Sequence, residues 1–301
     1  MPKSLRTFLE DCRREIPNEV VHVTKEVDPA HYDVTAIIKH LGAMKKFPIL
    51  VFDRPLNLHG RVSNDFKLVM NCEISQRKTQ IALGVPKEMN RTQMAEVCLE
   101  REEHRVLPAI VDKKQAPVKE VVKAGKDVDM FELPIMRHHY MDGGPYVVLS
   151  TVTKDRKSGI SNCSYHRLEI KSRNTPARHL WKIFRDHEDN NLECPVATVL
   201  GHHPAYHMGA CYSGPFAVSE YEVIGGYLQE PLRLTASETW GEDFLIPADA
   251  EIVIEGALVP GKRVVEGPFG EAPGYLGPQR YTTCVEYQVR AINYRKGGMY
   301  Q

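Results

Sequence analysis

The sequence predicts an α+β protein in two parts: an N-terminal α/β domain over residues 1–125, then a domain over 126–301 whose antiparallel strands close on themselves as a barrel. Three observations predict it. In the first part, apolar residues recur at helical spacing around one buried strand. From about residue 130 the pattern changes to strands rich in Val, Ile, Thr and Tyr, separated by Gly and Pro turns. Between them, VDKKQAPVKEVVKAGKDVDM (111–130) is charged and carries little apolar periodicity, which marks the boundary. With 301 residues there is chain enough for about two cores.

MPKSLRTFLEDCRREI reads as an amphipathic helix with Leu5, Phe8, Leu9 and Cys12 on one face. A second helical pattern, AHYDVTAIIKHLGAM, follows, and then the buried strand FPILVF (47–52). NRTQMAEVCLEREEH (90–104) reads as a helix capped by Asn90. In the second part the strands are YVVLSTVT (146–153), PVATVLG (195–201), EIVIEGALV (251–259) and TTCVEYQVRAINY (282–294). Two helices are predicted among them. NTPARHLWKIFRDHED (174–189) offers Thr175 as N-cap and Pro176 as first helical residue. SEYEVIGGYLQ (219–229) has the Ser-x-x-Glu spacing of a capping box. The ending NYRKGGMYQ, directly after a strong strand, reads as a fragment or truncation of something longer.

Composition excludes several classes. Hydrophobic residues make up 42% and charged residues 26%, ordinary for a soluble globular protein. Basic and acidic residues balance at 39 each, so nothing global suggests a nucleic-acid or anionic-membrane partner. No signal peptide or spanning segment is visible. Seven scattered cysteines without a CxxC pair argue for reduced thiols in a cytoplasmic protein.

The chemistry-bearing stretch is GALVPGKRVVEGPFGEAPGYLG (256–277). In a regular strand the five-residue spacing of Glu266 and Glu271 would send them to opposite faces. Gly267, Pro268 and Gly270 disfavour a regular strand. Two readings stand: a tight turn with two solvated glutamates, or a turn that swings both acids into one pocket, where their pKa values can be driven apart. Asn162 and Arg167 bracket NCSYHR; for both to serve one site, a bulge or a strand end is needed. His179, in the first turn of the predicted 174–189 helix, would stay neutral at that positive helix end and be able to bind a metal. Arg178 beside it suits a phosphate. Glu220, in the first turn of the next helix, is placed as an oxygen ligand. Asn, His and Glu together suit Mn²⁺ or Mg²⁺ better than zinc. Each residue alone has an ordinary structural role open to it. The His138-His139 pair remains open as well, and His202-His203-Pro204 reads as structural.

The ordered set NCSYHR (162–167), ARH (177–179), VSEYE (218–222), EGPFGE (266–271) and RAINYR (290–295) resembles the UbiD family of reversible decarboxylases that use prenylated FMN. LPIMRHHYMDGGPYVV (133–148) looks like the segment leading into that family's cofactor domain. The resemblance spans essentially the whole chain. It implies an N-terminal α/β domain, then a flavin-binding split β-barrel related to flavin reductases, then a C-terminal oligomerisation domain that is missing here. Carried over, Asn162, His179 and Glu220 match the ligands of a divalent metal, usually Mn²⁺, that bridges to the cofactor phosphate. Arg167, Glu266 and Glu271 match the catalytic network, with Arg167 on the substrate carboxylate and Glu271 as a proton donor kept protonated by apolar surroundings. Ser164, Tyr165, His166 and Arg178 match the flavin-binding segments. Ala210-Cys211-Tyr212 matches a K⁺-binding loop beside the flavin, with Cys211 and Tyr212 where the family often has small or methionine side chains. The implied partners are an aromatic or α,β-unsaturated acid as substrate, a flavin prenyltransferase as cofactor supplier, and further copies of the full-length chain. A split-barrel reductase using ordinary FMN, and a non-catalytic subunit of a multi-subunit aryl carboxylase, are the alternatives; only the decarboxylase needs Arg167, Glu266 and Glu271 together.

Overall fold

The computed structural model describes residues 1–178, 182–215, 218–271 and 281–301, with the backbone alone at residues 177, 178 and 182. The chain opens with helix α1 (Leu5–Glu15), where the Ser4 hydroxyl accepts from the Thr7 N–H and the Thr7 hydroxyl accepts from the Ser4 N–H. Strand β1 (Val20–Val27) follows, then α2 (Asp33–Ala43), β2 (Ile49–Pro55) and β3 (Phe66–Met70). Helices α3 (Gln76–Leu83) and α4 (Arg91–Glu103) complete this part. The strand β1 was not expected between the first two helices. Its residues are mostly exposed, so it has no apolar alternation to announce it. Asn90 caps α4 as expected, and reciprocally the Gln93 side-chain oxygen accepts from the Asn90 N–H.

The first sheet has the order β1-β2-β3-β14, where β14 (Gly298–Tyr300) comes from the far end of the chain and pairs in parallel with β3. Helix α1 lays Leu5, Phe8, Leu9 and Cys12 on Ile49, Val51 and Val69. Val34 of α2 packs with Leu50, Phe52 and Leu68 from the opposite face. A strand covered on both sides reads as a continuous apolar run, which is why residues 49–52 were legible.

The charged stretch 111–130 is tied into the rest. Strand β4 (Ala109–Ile110) and strand β5 (Val121–Ala124) precede β6 (Tyr146–Lys154), β7 (Ser161–Ile170) and β8 (Pro176–Arg178). Next come α5 (Lys182–Asp189), β9 (Cys194–Leu200), α6 (Pro204–Ala210) and α7 (Glu220–Leu228). The chain continues through β10 (Arg233–Ser237), β11 (Gly241–Pro247), β12 (Ile252–Glu266) and β13 (Thr282–Tyr294). Strands β12, β9, β6, β7, β8 and β13 follow one another, and β13 pairs back with β12, so the sheet closes on itself. Strand β5 adds to β13 beyond β8, and β4 joins β10 and β11 in a small third sheet.

Alternation along the barrel strands separates two cores. Val196, Leu200, Ile252, Ile254 and Leu258 face one apolar cluster with Leu168 and Tyr287. Ala197, Val199 and Val253 face another, against Tyr206 of α6 and Val223 and Ile224 of α7. The Lys119 ammonium is buried between the Glu255 carboxylate (3.2 Å) and the Asn293 carbonyl oxygen (3.1 Å). Both partners lie at the meeting of β12 and β13.

The predicted helix over 174–189 is corrected. Residues 176–178 are a strand paired with Leu168–Ile170, and among the described residues the helix covers Lys182–Asp189. Proline at the start of a short strand removes no ladder bond that the strand needs. His179 therefore does not owe its state to a helix beginning at 175; the residue itself lies outside the described residues. Among the described residues, no helix is long and apolar enough to cross a membrane.

Candidate active site

Strand β7 runs beside β6 through nine consecutive pairs, Tyr146↔Glu169 to Lys154↔Ser161, without a register shift. The expected bulge is absent, so Asn162 and Arg167 lie on opposite faces of the strand. What the strand offers instead is an edge. Among the described residues, β8 meets β7 only at Leu168–Ile170, which leaves the edge of β7 open from Ser161 to Arg167. A ligand laid along that edge, roughly 17 Å for five residues, can reach side chains of both faces.

At one end of this edge the two acids converge on Arg167. Its Nε and Nη2 donate to Glu266 Oε1 (2.8 Å) and Oε2 (3.1 Å), and its Nη1 donates to Glu271 Oε1 (2.8 Å). Glu266, the last residue of β12, has a side chain 1% exposed, whereas Glu271 is 57% exposed. Burial works against the Arg167 charge, but the hydrogen bond and charge of Glu266 and the charge of Glu271 outweigh it, and the pKa is raised. Phe269 lies under the guanidinium, 4.6 Å from ring centroid to Cζ, and the Tyr146 ring packs on Phe269 at 4.6 Å. Burial, then the charges of Glu266 and Glu169, push the Tyr146 phenol up. The turn that carries Glu271 round is possible because Gly267 has φ of 103°, a conformation other residues rarely adopt. Among the described residues, the neighbour of Glu271 is the Arg167 guanidinium rather than the expected apolar surroundings, and its side chain is 57% exposed. Tyr275, in the stretch after it, lies outside the described residues.

At the other end, Asn162 Nδ2 donates to Glu220 Oε1 (2.9 Å) and the Cys163 N–H donates to Glu220 Oε2 (3.1 Å). Burial raises the Glu220 pKa, against the backbone N–H groups and the Asn162 amide that favour its charge. The capping box predicted for this helix does not form: the Ser219 hydroxyl makes no cap bond. Ser164 Oγ lies 2.8 Å from His166 Nε2 and 3.4 Å from Asn162 Oδ1, so alternate residues of β7 form one polar row. Asn162 and Glu220 open onto a cavity of about 320 Å³ that Ser161, Ile183 and Pro215 also line. These oxygen donors fit a hard divalent ion, with the Asn162 amide turned to present its oxygen. Among the described residues there is no group of three His, Cys, Asp or Glu side chains that could hold a metal; His179 is not among them.

The remaining expected residues are dispersed. Tyr165 faces the α6 side, 6.0 Å from His207 ring to ring, and burial raises its pKa. Arg178 ends β8, where only its backbone is described. Cys211 ends α6 and is exposed, and Tyr212 packs against the second core. His202 and His203, which the sequence reading set aside as structural, are buried.

Sequence reasoning missed two acids. Glu169 Oε2 accepts from the Gly267 N–H (2.7 Å), and Asp142 Oδ1 accepts from the Gly270 N–H (2.8 Å). Glu169 is two residues from Arg167 on one strand, hence on the same face, and that spacing was a usable signal. Asp142 sits in MDGGPY, where Asp-Gly-Gly-Pro announces a turn but not its partner.

Residues 12–97 match the family model described as the 3-octaprenyl-4-hydroxybenzoate carboxy-lyase N-terminal domain, and residues 109–301 match the Rift-related domain of the same carboxy-lyase. The phenolic acid decarboxylase of Streptomyces sp. (strain D7) is 30% identical over 304 residues, covering 97% of this chain and 61% of its own length. That of Sedimentibacter hydroxybenzoicus is 29% identical over 314 residues, covering 99% and 63%. Among solved structures, the UbiD-class enzyme HmfF from Pelotomaculum thermopropionicum, in an evolved dimeric form with prFMN, superposes with a TM-score of 0.87 at 30% identity, covering 99% of this chain and 66% of that one. The closed form of the Sedimentibacter hydroxybenzoicus vanillic acid decarboxylase gives 0.89 at 26%, covering 100% and 63%. The chain thus spans about three-fifths of the length of the curated relatives it matches.

Proposed function

The chain belongs to the UbiD family, and on that premise we propose that it carries the catalytic half of a prenylated-FMN-dependent decarboxylase acting on an aromatic or α,β-unsaturated carboxylic acid. The observation that carries this reading is Arg167 held between Glu266 and Glu271. Of the five guanidinium N–H groups, three are engaged by the two acids among the described residues, and one on each terminal nitrogen is left. Those two suit a substrate carboxylate, which takes paired, directional bonds. Buried Glu266 orients Arg167 through two bonds. Glu271, on the open side, delivers the proton that replaces CO₂ and removes it in the carboxylating direction.

The barrel is read as the split, flavin-reductase-like barrel that the resemblance implies, with the cofactor along the open edge of β7. Prenylated FMN, made by a flavin prenyltransferase, would act as the electron sink for decarboxylation. Asn162 and Glu220, with His179, would hold Mn²⁺ or Mg²⁺ at its phosphate, and the Ala210–Tyr212 backbone would hold K⁺. Ser164, Tyr165, His166 and Arg178 would line the bound flavin. The active form is a homo-oligomer.

The test is the chain co-expressed with a flavin prenyltransferase, examined by visible absorption and mass spectrometry and assayed for CO₂ release from cinnamate-like and phenolic acids. Glu271→Gln is expected to lower the rate on the order of 10²-fold or more, the usual worth of a positioned acid. A loaded Glu271→Gln protein that decarboxylates and exchanges solvent deuterium at the parent rate would refute that role.

A further inference from the structure

The loop Gly267–Glu271 is held at three backbone points, and two of them are buried carboxylates of the chain itself. The residue after Glu266 donates its N–H to Glu169 Oε2 (2.7 Å), and the residue before Glu271 donates its N–H to Asp142 Oδ1 (2.8 Å). Between them, the Pro268 carbonyl accepts from the Gly143 N–H (2.8 Å) and the Tyr146 hydroxyl (3.2 Å). Each of the two acids that meet Arg167 is thus flanked by a peptide group tied to a second acid.

Asp142 differs from Glu169 in its surroundings. Glu169 also has the Lys171 ammonium at 2.7 Å. The Asp142 side chain is fully buried, and its other oxygen accepts the N–H groups of His138 (3.1 Å) and His139 (2.8 Å). One carboxylate therefore joins three peptide N–H groups from two segments, 138–139 and 270. The 137–142 segment is fixed in turn to the first part of the chain. The Arg137 N–H donates to the Pro29 carbonyl (3.1 Å), and its carbonyl accepts from the Thr35 hydroxyl (3.0 Å).

We propose that Asp142 is the positioning residue for Glu271: it fixes the peptide that carries Glu271 and so sets the Glu271–Arg167 contact. This rests on the reading of Glu271 as proton donor. A carboxylate is needed there because its oxygens only accept, and three N–H groups face them. Asp142→Asn keeps the shape but must turn an NH₂ toward either Gly270 or the 138–139 pair, setting donor against donor.

The experiment has two arms. In the full chain without cofactor, Asp142→Asn is expected to speed hydrogen exchange of the Gly270 amide on the order of tenfold or more, as the loss of one buried hydrogen bond does. The amides of the β12–β13 ladder should keep their parent rates, and the ¹³C signal of the Glu271 carboxyl should move. In the loaded enzyme, kcat is expected to fall on the order of tenfold with KM little changed, and Asp142→Asn should add nothing to Glu271→Gln. Unchanged Gly270 exchange, an unmoved Glu271 signal, or an additive double variant overturns the proposal. If the loaded parent releases no CO₂, the reading of the function fails, while the first arm still decides whether Asp142 sets the Glu271 contact. Should Asp142→Asn fail to fold, Gly143→Ala perturbs the same loop from its other anchor, because a Cβ there would lie 2.2 Å from the Gly267 carbonyl oxygen. It is expected to give the same signature, and its absence overturns the proposal too.

Discussion

Acid should unfold this protein through the histidines of α6, and the size of the effect follows from how they are bonded. His203 Nδ1 accepts the Ala205 N–H (3.2 Å) and His202 Nδ1 accepts the His203 N–H (2.8 Å), so a proton on either Nδ1 breaks a bond. His207 Nε2 lies 3.3 Å from Gln301 Oε1, and its buried Nδ1 has no partner among the described residues to receive a new N–H. Burial accordingly pulls His203 down to about 3 and His207 to about 4, with His202 also well below its ordinary value. The unfolded chain, with histidine near 6.5, takes up these protons first. Stability is therefore full above about pH 6.5 and is lost as the pH falls toward the folded-state values. At pH 5 the loss is about 2 kcal/mol each for His203 and His207, hence about 4 kcal/mol for the two. Urea unfolding at pH 7.5 and pH 5 measures it, against a His203→Asn/His207→Gln variant in which the introduced asparagine still serves as a helix cap and the other titrating groups cancel. The stability advantage of the parent should shrink by about 4 kcal/mol between the two pH values. A gap that stays constant would refute the reasoning, whatever the absolute stabilities.

Other expectations bear on separate parts of the molecule. If Glu220 is the charged ligand of the proposed Mn²⁺ site, Glu220→Gln should weaken Mn²⁺ binding to the cofactor-free protein on the order of tenfold or more, read from the free-ion signal in electron paramagnetic resonance. Lys119→Met leaves the Glu255 carboxylate buried without its cation and should cost about 3–5 kcal/mol in a urea titration. Asn90→Ala removes the α4 cap at about 1 kcal/mol, with activity of the loaded protein unchanged.

Much of the fold was legible where local chemistry and tertiary role agree. The strand at 282–294 and the helix after Asn90 match their sequence signals. The failures have identifiable causes. Thr175-Pro176 carries the marks of a helix start, yet the proline begins a three-residue strand. Helix α6 is seven residues long, with buried His203 as its N-cap and buried His207 in its middle, too short for its period to show. Within the site, the five-residue spacing of Glu266 and Glu271 left two readings open, and only the turn at Gly267 decides between them. The anchoring acids Asp142 and Glu169 bind peptide N–H groups 128 and 98 residues away, and nothing in sequence marks such a partner.

The placement of β14 beside β3 has a consequence for how the protein is made. Residues 298–300 supply the outermost ribbon of a sheet whose other three members leave the ribosome within the first 70 residues. That early sheet must wait, one border unpaired, through more than 200 further residues of synthesis, at ~5–20 residues per second. Contacts so distant in sequence form late and slowly. A nascent chain stalled short of residue 298 would present a naked β3 border, the kind of surface that chaperones shield and that neighbouring polypeptides invade.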